Sequence, residues 1–167
     1  MKILYIYAAL LWVMALFLIS SDYKMIKQSN FLKKNTDLSE YTVYDYSKNH
    51  KILFGVILVL SIITSLAGLN DYSYFLINFA IIVISIVEII TGVKTMKLYY
   101  NTNSIIYDNE VIRLKSIKSI KKVKKFGRNF ELTTLDGNHY MMNSKVADII
   151  QQRLDEIKEE KNAKKKK

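Results

Sequence analysis

Glu88 is a carboxylate inside a long apolar run, and it is the first candidate for chemistry in this chain. The run Tyr74–Val93 carries Glu88 as its one charged residue and Asn78 as a further intramembrane polar group. An ionised side chain at mid-membrane costs about 2.5–3.5 kcal/mol on insertion scales. Glu88 therefore indicates a proton- or ligand-linked carboxylate or an anchor for a helix contact. The alternative is a carboxylate that reaches the interface or pairs with Lys94 or Lys97.

The second candidate is a basic stretch that contains no acidic residue. The segment "IRLKSIKSIKKVKKFGRNF", residues 112–130, holds eight cationic side chains, and the chain from Lys94 onward carries +9 of the total net charge of +10. Each Lys or Arg near an anionic leaflet adds about 1 kcal/mol of attraction. The segment predicts binding to inner-leaflet lipids or to a membrane partner; the alternative is a set of lysines that keeps an edge strand soluble. The eight are Arg113, Lys115, Lys118, Lys121, Lys122, Lys124, Lys125 and Arg128.

The sequence carries no pattern that nominates a catalytic centre. Cysteine is absent, so thiol nucleophiles, disulfides and cysteine-based metal sites are excluded. The two histidines, His50 and His139, have no neighbouring ligands at metal-binding spacing, and no phosphate-binding loop or hydrolase motif occurs. We expect a protein that is not an enzyme and has no metal or cofactor. Nucleic acid is a poor partner for a basic domain tethered to a membrane with few exposed aromatic residues beside its lysines.

Three apolar runs predict the elements that must position Glu88. Residues 3–20, 52–69 and 74–93 are apolar on all sides and long enough to cross the hydrocarbon core as helices, so residues 1–95 form a transmembrane region. Lysines flank the hairpin made by the second and third runs and are absent from its tip, which places both its ends, and the C-terminus, in the cytoplasm. On the second run, Ser61, Ser65 and Gly68 indicate a close helix-packing face or ordinary small-residue usage.

The first apolar run has a second interpretation as a cleaved signal peptide. Its start, "MK" before an apolar stretch, has the right general shape, but the run is long and no A-x-A-like site follows. Cleavage would also place the lysine-rich segment 21–51 outside the cell, against the charge balance. We therefore expect a retained helix and a multi-pass protein of the cell membrane.

Residues 96–160 predict a small α+β domain, followed by a basic disordered tail at 161–167. Alternating residues in "SIIYDNEVIRL" and "NFELTTLDGNHYMMN" predict hairpins, the first turning at Asp108-Asn109 and the second at a type I′ turn on Asp136-Gly137. A helix capped by Ser144 follows, with an apolar stripe that closes an antiparallel sheet. Apolar residues recur every third position from Leu114 to Phe126, a spacing that fits neither one helix nor one strand. We expect a helical turn holding Ile117 and Ile120 that leads into a strand.

The order of these elements resembles the pleckstrin-homology-like domains of bacterial membrane proteins. The resemblance covers roughly residues 103–157, and Ile117 and Ile120 match an isoleucine pair that in those domains links early strands to later ones. A full domain of this class has seven strands, of which the sequence places about five. The resemblance implies a PH-like fold and a non-enzymatic role at the inner leaflet, with a membrane protein or a bacteriocin as partner, and self-immunity to that bacteriocin as one outcome. The alternative is an accessory subunit of a transporter, for which three helices require a homo-oligomer.

Overall fold

The chain folds into two units, each of which combines separate stretches of sequence. The computed structural model describes residues 2–67, 71–125 and 128–165. One unit consists of Met1–Thr36 and Asp45–Lys97, and the other of Asp37–Tyr44 and Leu98–Lys167. The segment 37–44, which lies between two membrane helices in the sequence, thus belongs with the C-terminal residues.

The first unit contains three helices that are long and apolar enough to cross a membrane. They are α1 (Lys2–Asn35), α2 (Lys48–Ala67) and α3 (Tyr72–Thr95). The prediction of three membrane helices is confirmed at this level, but α1 continues to Asn35, far beyond residue 20, where the first apolar run ends. No glycine or proline interrupts residues 21–35, and Lys33 and Lys34 in the last turn interact favourably with the helix dipole. At 1.5 Å per residue, α1 is about 51 Å long and exceeds the thickness of the hydrocarbon core.

Helix α3 is the central helix of this unit, since it packs against both α1 and α2. The rings of Trp12 on α1 and Phe79 on α3 lie 5.8 Å apart between centroids. Between α2 and α3, the Thr64 hydroxyl donates a 3.0 Å hydrogen bond to Asn78 Oδ1. Most large apolar side chains of α1 and α2 are exposed, as expected for helices whose outer surfaces face lipid.

The described part of the second unit holds two sheets and a C-terminal helix. A four-stranded sheet has the order β1-β2-β3-β4, and a three-stranded sheet has the order β5-β6-β7. A short 3₁₀ turn, Leu114–Ser116, connects the two sheets. The elements are β1 (Thr42–Asp45), β2 (Lys97–Tyr100), β3 (Ser104–Tyr107), β4 (Glu110–Arg113), β5 (Ile117–Lys125), β6 (Arg128–Thr134), β7 (His139–Met142) and α4 (Ser144–Lys165).

The two hairpin turns differ in a way the sequence did not predict. Asp108 and Asn109 have φ of 52° and 62° and join β3 to β4, and two successive left-handed residues are the mark of a type I′ turn. The type I′ turn predicted at Asp136-Gly137 is wrong. There only Gly137 is left-handed, with φ 84°, and its amide donates to the carbonyl of Thr134 at 3.1 Å. The connection is a longer loop in which glycine supplies the single positive φ.

A β-bulge explains the spacing of three between Ile117 and Ile120. Ile117 pairs with Thr134 and Ile120 with Leu132, and the register shifts by one residue between them. Because Thr134 and Leu132 lie two apart on β6, they share a face, and the extra residue on β5 brings both isoleucines to that face. The prediction that Ile117 and Ile120 lie on a helical turn is therefore wrong. The helical turn is the 3₁₀ segment Leu114–Ser116, which ends directly before Ile117.

Helix α4 covers the apolar core of the second unit. Val146, Ala147 and Ile150 are buried, as are side chains of both sheets. The predicted N-cap at Ser144 is wrong by one residue, because Asn143 Oδ1 accepts the amide of Val146 at 2.9 Å and asparagine is among the best N-cap residues. The helix extends to Lys165, where the sequence predicted a disordered tail from residue 161. The buried strand and turn residues include Leu98, Ile105, Ile112, Leu114, Leu132 and Met142.

Candidate functional site

Glu88 pairs with a histidine of the neighbouring helix. His50, in the first turn of α2, places Nε2 3.2 Å from Glu88 Oε2 and 3.0 Å from the Glu88 carbonyl oxygen on α3. The two side chains are 22% and 19% exposed. The sequence suggested Lys94 or Lys97 as an ion-pair partner for Glu88, whereas the described ion pair of Glu88 is with His50. Glu88 is thus a contact between two helices.

A second carboxylate lies beside this pair and is more deeply buried. Asp22 on α1 is 4% exposed, and it lies within electrostatic range of His50 and Glu88 and next to the Thr91 side chain. Asp22 Oδ2 and Thr91 Oγ1 are both buried, and within the described residues neither atom makes a hydrogen bond of ordinary geometry. We call Asp22, His50, Glu88 and Thr91 the polar cluster. All three membrane helices contribute to it.

Glycine at position 92 makes room for the histidine ring. A Cβ atom placed on Gly92 would lie 2.5 Å from His50 Cδ2 and 3.2 Å from Nε2, closer than packed atoms approach. On its other side the ring lies 4.7 Å from the Phe54 ring, centroid to centroid. The His50 ring is therefore held between Gly92, Phe54 and the Glu88 carboxylate.

Sequence reasoning found Glu88 and missed its partners. Asp22 lies beyond residue 20, where the first membrane helix was predicted to end, and His50 was considered only for metal binding. A signal was present: Asp22 is the first carboxylate after the first run, and His50 lies two residues before the second. Helices that are antiparallel in sequence order bring such positions to one end of a bundle.

The other predicted intramembrane residues are placed as follows. Asn78 accepts the hydrogen bond of Thr64 described above. Ser61 and Ser65 are the buried positions of the described part of α2, and small buried residues permit the close approach of neighbouring helices. Gly68, predicted to share this face, lies outside the described residues.

The predicted basic stretch exposes cations at the end of β4, on the 3₁₀ turn between the two sheets and along β5. Five side chains that the structure describes are exposed, and none of them forms an ion pair with another described residue. Strand β5 lies at the edge of its sheet. We call these five side chains the basic surface: Arg113, Lys115, Lys118, Lys121 and Lys122. The side chains of Lys124, Lys125 and Arg128 lie outside the described part of the chain.

A polar groove of about 350 Å³ lies within the second unit. Its lining includes Glu110, Arg113, Asp136 and Tyr140, and the Tyr140 hydroxyl donates a short hydrogen bond to Glu110 Oε2. Burial, together with the hydrogen bond to the nearby Glu110 carboxylate, raises the pKa of Tyr140 to about 12. With two carboxylates and one guanidinium, the groove does not favour a phosphate.

The described residues contain no group of three or more His, Asp or Glu side chains arranged to hold a metal ion. Comparison of the chain with models of protein families, with curated proteins and with solved structures finds no match. Among the described residues, the polar cluster and the basic surface are the features that bear on function.

Proposed function

We propose that this protein is a non-enzymatic integral membrane protein whose C-terminal domain lies in the cytoplasm and binds the anionic inner leaflet. The observation that carries the proposal is the basic surface, five exposed cations without a described ion-pair partner. At about 1 kcal/mol for each cation near anionic lipid, even part of this surface gives an attraction of a few kcal/mol. The domain is already tethered by a membrane helix, so this is enough to keep it at the lipid surface.

A PH-like architecture for the domain is part of the proposal. Four strands in one sheet, three in another and a C-terminal helix agree with the seven strands of a full domain of the class that the sequence resembles. Strand β1, which precedes α2, is one that the sequence left unplaced. In this arrangement the lysines of β5 also block the pairing of an exposed edge strand, a role compatible with lipid binding.

The absence of cysteine from the chain makes a direct test practicable. The full-length protein, with a single spin label at Lys121→Cys, is reconstituted in bilayers of phosphatidylcholine alone or mixed with phosphatidylglycerol. A nickel-chelating lipid in the bilayer reports the collision of the label with the headgroup layer. We expect a higher collision rate in anionic bilayers, lost in high salt because screening weakens the attraction. A label at Lys145→Cys, exposed on α4, serves as the control.

Two results would contradict lipid binding. One is a collision rate at position 121 that is the same in neutral and anionic bilayers. The other is a rate that survives replacement of Lys115, Lys118 and Lys122 by glutamine, which leaves the labelled site in place. Either result would leave edge-strand protection as the role of these lysines.

Self-immunity to a bacteriocin is the physiological role that the resemblance favours for such a domain. It would act by binding at the membrane, without chemistry. Expression of the gene in a sensitive strain tests this role, since protection should be lost when the basic surface is neutralised. No change in killing of the sensitive strain would count against it.

The polar cluster favours a second candidate, an accessory subunit of a transporter. Titratable groups on three helices are a common feature of ion-coupled membrane proteins. This candidate requires that Glu88→Gln abolish function while the protein still assembles. An assembled and fully active Glu88→Gln variant would remove its main support.

A further inference from the structure

We infer that Asp22, His50 and Glu88 form a proton-binding site within the helix bundle. This inference is independent of lipid binding, because it concerns only the first unit. It uses three titratable side chains from three helices, together with two neighbouring buried oxygen atoms that form no hydrogen bond of ordinary geometry with the described residues. Lipid binding could fail while the proton site stands, and the reverse also holds.

The charges of the cluster favour a proton at His50. With a neutral imidazole, the cluster would place two carboxylates near each other in a partly buried site. A proton on His50 adds a positive charge to the ring, whose Nε2 lies 3.2 Å from Glu88 Oε2, and offsets the repulsion between the Glu88 and Asp22 carboxylates. Opposite charges at such distances favour the charged forms of both partners. The protonated ring would thus attract both carboxylates, Glu88 at 3.2 Å and Asp22 through its charge.

Thr91 gives Asp22 a hydrogen-bond partner in either protonation state. Asp22 Oδ2 and Thr91 Oγ1 are buried neighbours, and neither atom forms a hydrogen bond of ordinary geometry with another described residue. The Thr91 hydroxyl can donate to the Asp22 carboxylate, and a protonated Asp22 carboxyl can instead donate to Thr91 Oγ1, so neither state leaves both buried oxygens without a partner, which would cost about 1–3 kcal/mol for each atom. Asp22 is therefore a second place, beside His50, at which the cluster can hold a proton.

The lysines near the cluster do not pair with its carboxylates in the described ion pairs. Among the described residues, lysines that flank the cluster have other partners: Lys33 on α1 donates to the Lys94 carbonyl at 2.8 Å, and Lys51 on α2 lies 3.7 Å from Asp45. Helix α3 contributes Glu88 and Thr91 to the cluster, and the nearby Lys94 on the same helix is exposed. The cluster also lacks a metal-binding arrangement of side chains. A proton is the cation that fits.

The three titratable side chains differ in accessibility. His50 and Glu88 are about one-fifth exposed, whereas Asp22 is almost fully buried. The His50–Glu88 pair is therefore the more accessible part of the proposed site. The cluster lies at the lysine-rich end of the bundle, where α1 leaves its apolar run, α2 begins and α3 ends.

The chain is suited to a direct measurement, because it contains only two histidines. The His139→Gln variant, labelled with ¹⁵N-histidine and reconstituted at full length in nanodiscs, gives a single ring whose protonation is read by NMR between about pH 5 and about pH 9. We expect Glu88→Gln and Asp22→Asn each to weaken the proton affinity of His50 by about tenfold, which is one pH unit in the titration midpoint. Glu40→Gln, which removes an exposed carboxylate, should leave it unchanged.

A measurement on the unsubstituted chain covers the case in which a variant does not fold. Infrared spectra with ¹³C-labelled aspartate should contain a carboxylic-acid band that titrates together with His50. That band should be missing from Asp22→Asn. The inference is overturned if the titration of His50 is the same in all variants, if the band is absent at every pH, or if sodium ions displace the proton stoichiometrically, which would assign the cluster to a metal ion.

Discussion

Tyr140 shows how a single side chain can make the stability of the C-terminal unit depend on pH. Its hydroxyl donates to the Glu110 carboxylate, and burial together with this bond raises its pKa to about 12 from a usual value of 10.0. A group whose pKa is higher in the folded state stabilises that state fully below its unfolded pKa. The contribution is lost as the pH rises through the folded pKa. The relevant window thus runs from pH 10 to about 12.

We predict that Tyr140→Phe destabilises the second unit by on the order of 2 kcal/mol at neutral pH. Between about pH 10 and about pH 12 the variant should lose less stability than the parent chain, because the group that titrates there is gone. Urea unfolding of the full-length protein, followed by ¹⁹F NMR of a trifluoromethyl label at Lys145→Cys, measures both effects. Tyr23→Phe is the control, since Tyr23 is exposed in the other unit; equal alkaline losses for Tyr140→Phe and the parent would contradict the prediction.

At the scale of elements, the packing of α2 on α3 depends on a missing side chain. Gly92 allows the His50 ring to occupy space that a Cβ atom would fill. Rotation of the ring away from Gly92 is opposed, because its Nε2 atom is held by Glu88 and the Phe54 ring lies 4.7 Å away between centroids. At this point the His50 ring of α2 packs directly against the backbone of α3 at Gly92, where a larger residue would place a side chain.

We predict that Gly92→Ala separates His50 from Glu88. The single ¹⁵N-histidine signal in the His139→Gln background should shift, and the thermal midpoint of the helical unit in detergent should fall by several degrees. Gly55→Ala is the matched control, because a Cβ atom at Gly55 meets nothing within 4 Å. An unchanged His50 signal in Gly92→Ala would show that the ring has room that the contact distances do not indicate.

The sequence predicted elements well where one local pattern determined them. Three apolar runs indicated three membrane helices, and alternation around Asp108-Asn109 indicated the β3–β4 hairpin. The pairing of β5 with β6 was hidden, because a bulge changes the side-chain alternation on one strand in response to its partner. Strand β1 was missed for a similar reason: four residues carry little signal until a distant strand pairs with them.

The candidate site was predictable only in part, and for a physical reason. Glu88 stands out because a charge among apolar residues is visible in one segment. Asp22 and His50 lie at the ends of apolar runs, where polar residues are ordinary, and only the packing of three helices reveals their relation. The cations of the basic surface were visible as a charge run, whereas their exposure depends on the position of β5 at a sheet edge.

At the scale of the whole molecule, the second unit depends on a segment that lies outside its main stretch of sequence. Strand β1 forms one edge of the four-stranded sheet beside β2, and the Tyr41 hydroxyl lies 2.7 Å from Ser104 Oγ. Strands β1 and β2 directly flank the α2–α3 hairpin. Their pairing requires both ends of that hairpin to lie on the same side of the membrane, which is an argument about topology that does not use charge.

We predict that residues 98–167 expressed alone do not form a stable domain, because the β2 edge would be left unpaired. Joining residues 37–44 to this fragment through a flexible linker should restore order, seen as well-dispersed amide signals in NMR spectra. A scrambled 37–44 sequence on the same linker controls for solubility. A fragment that is fully ordered without residues 37–44 would show that β1 is dispensable.

Because this sheet combines two separate stretches of sequence, its strands become available for pairing at different times during translation. Strand β1 leaves the ribosome before the α2–α3 hairpin, and β2 leaves only after it. The growing chain must therefore keep residues 37–44 unpaired while the insertion machinery places the hairpin in the bilayer. If the hairpin inserts halfway, its ends are on opposite sides and the sheet cannot close. Completion of the sheet would then mark, for quality control, a chain whose membrane insertion has succeeded.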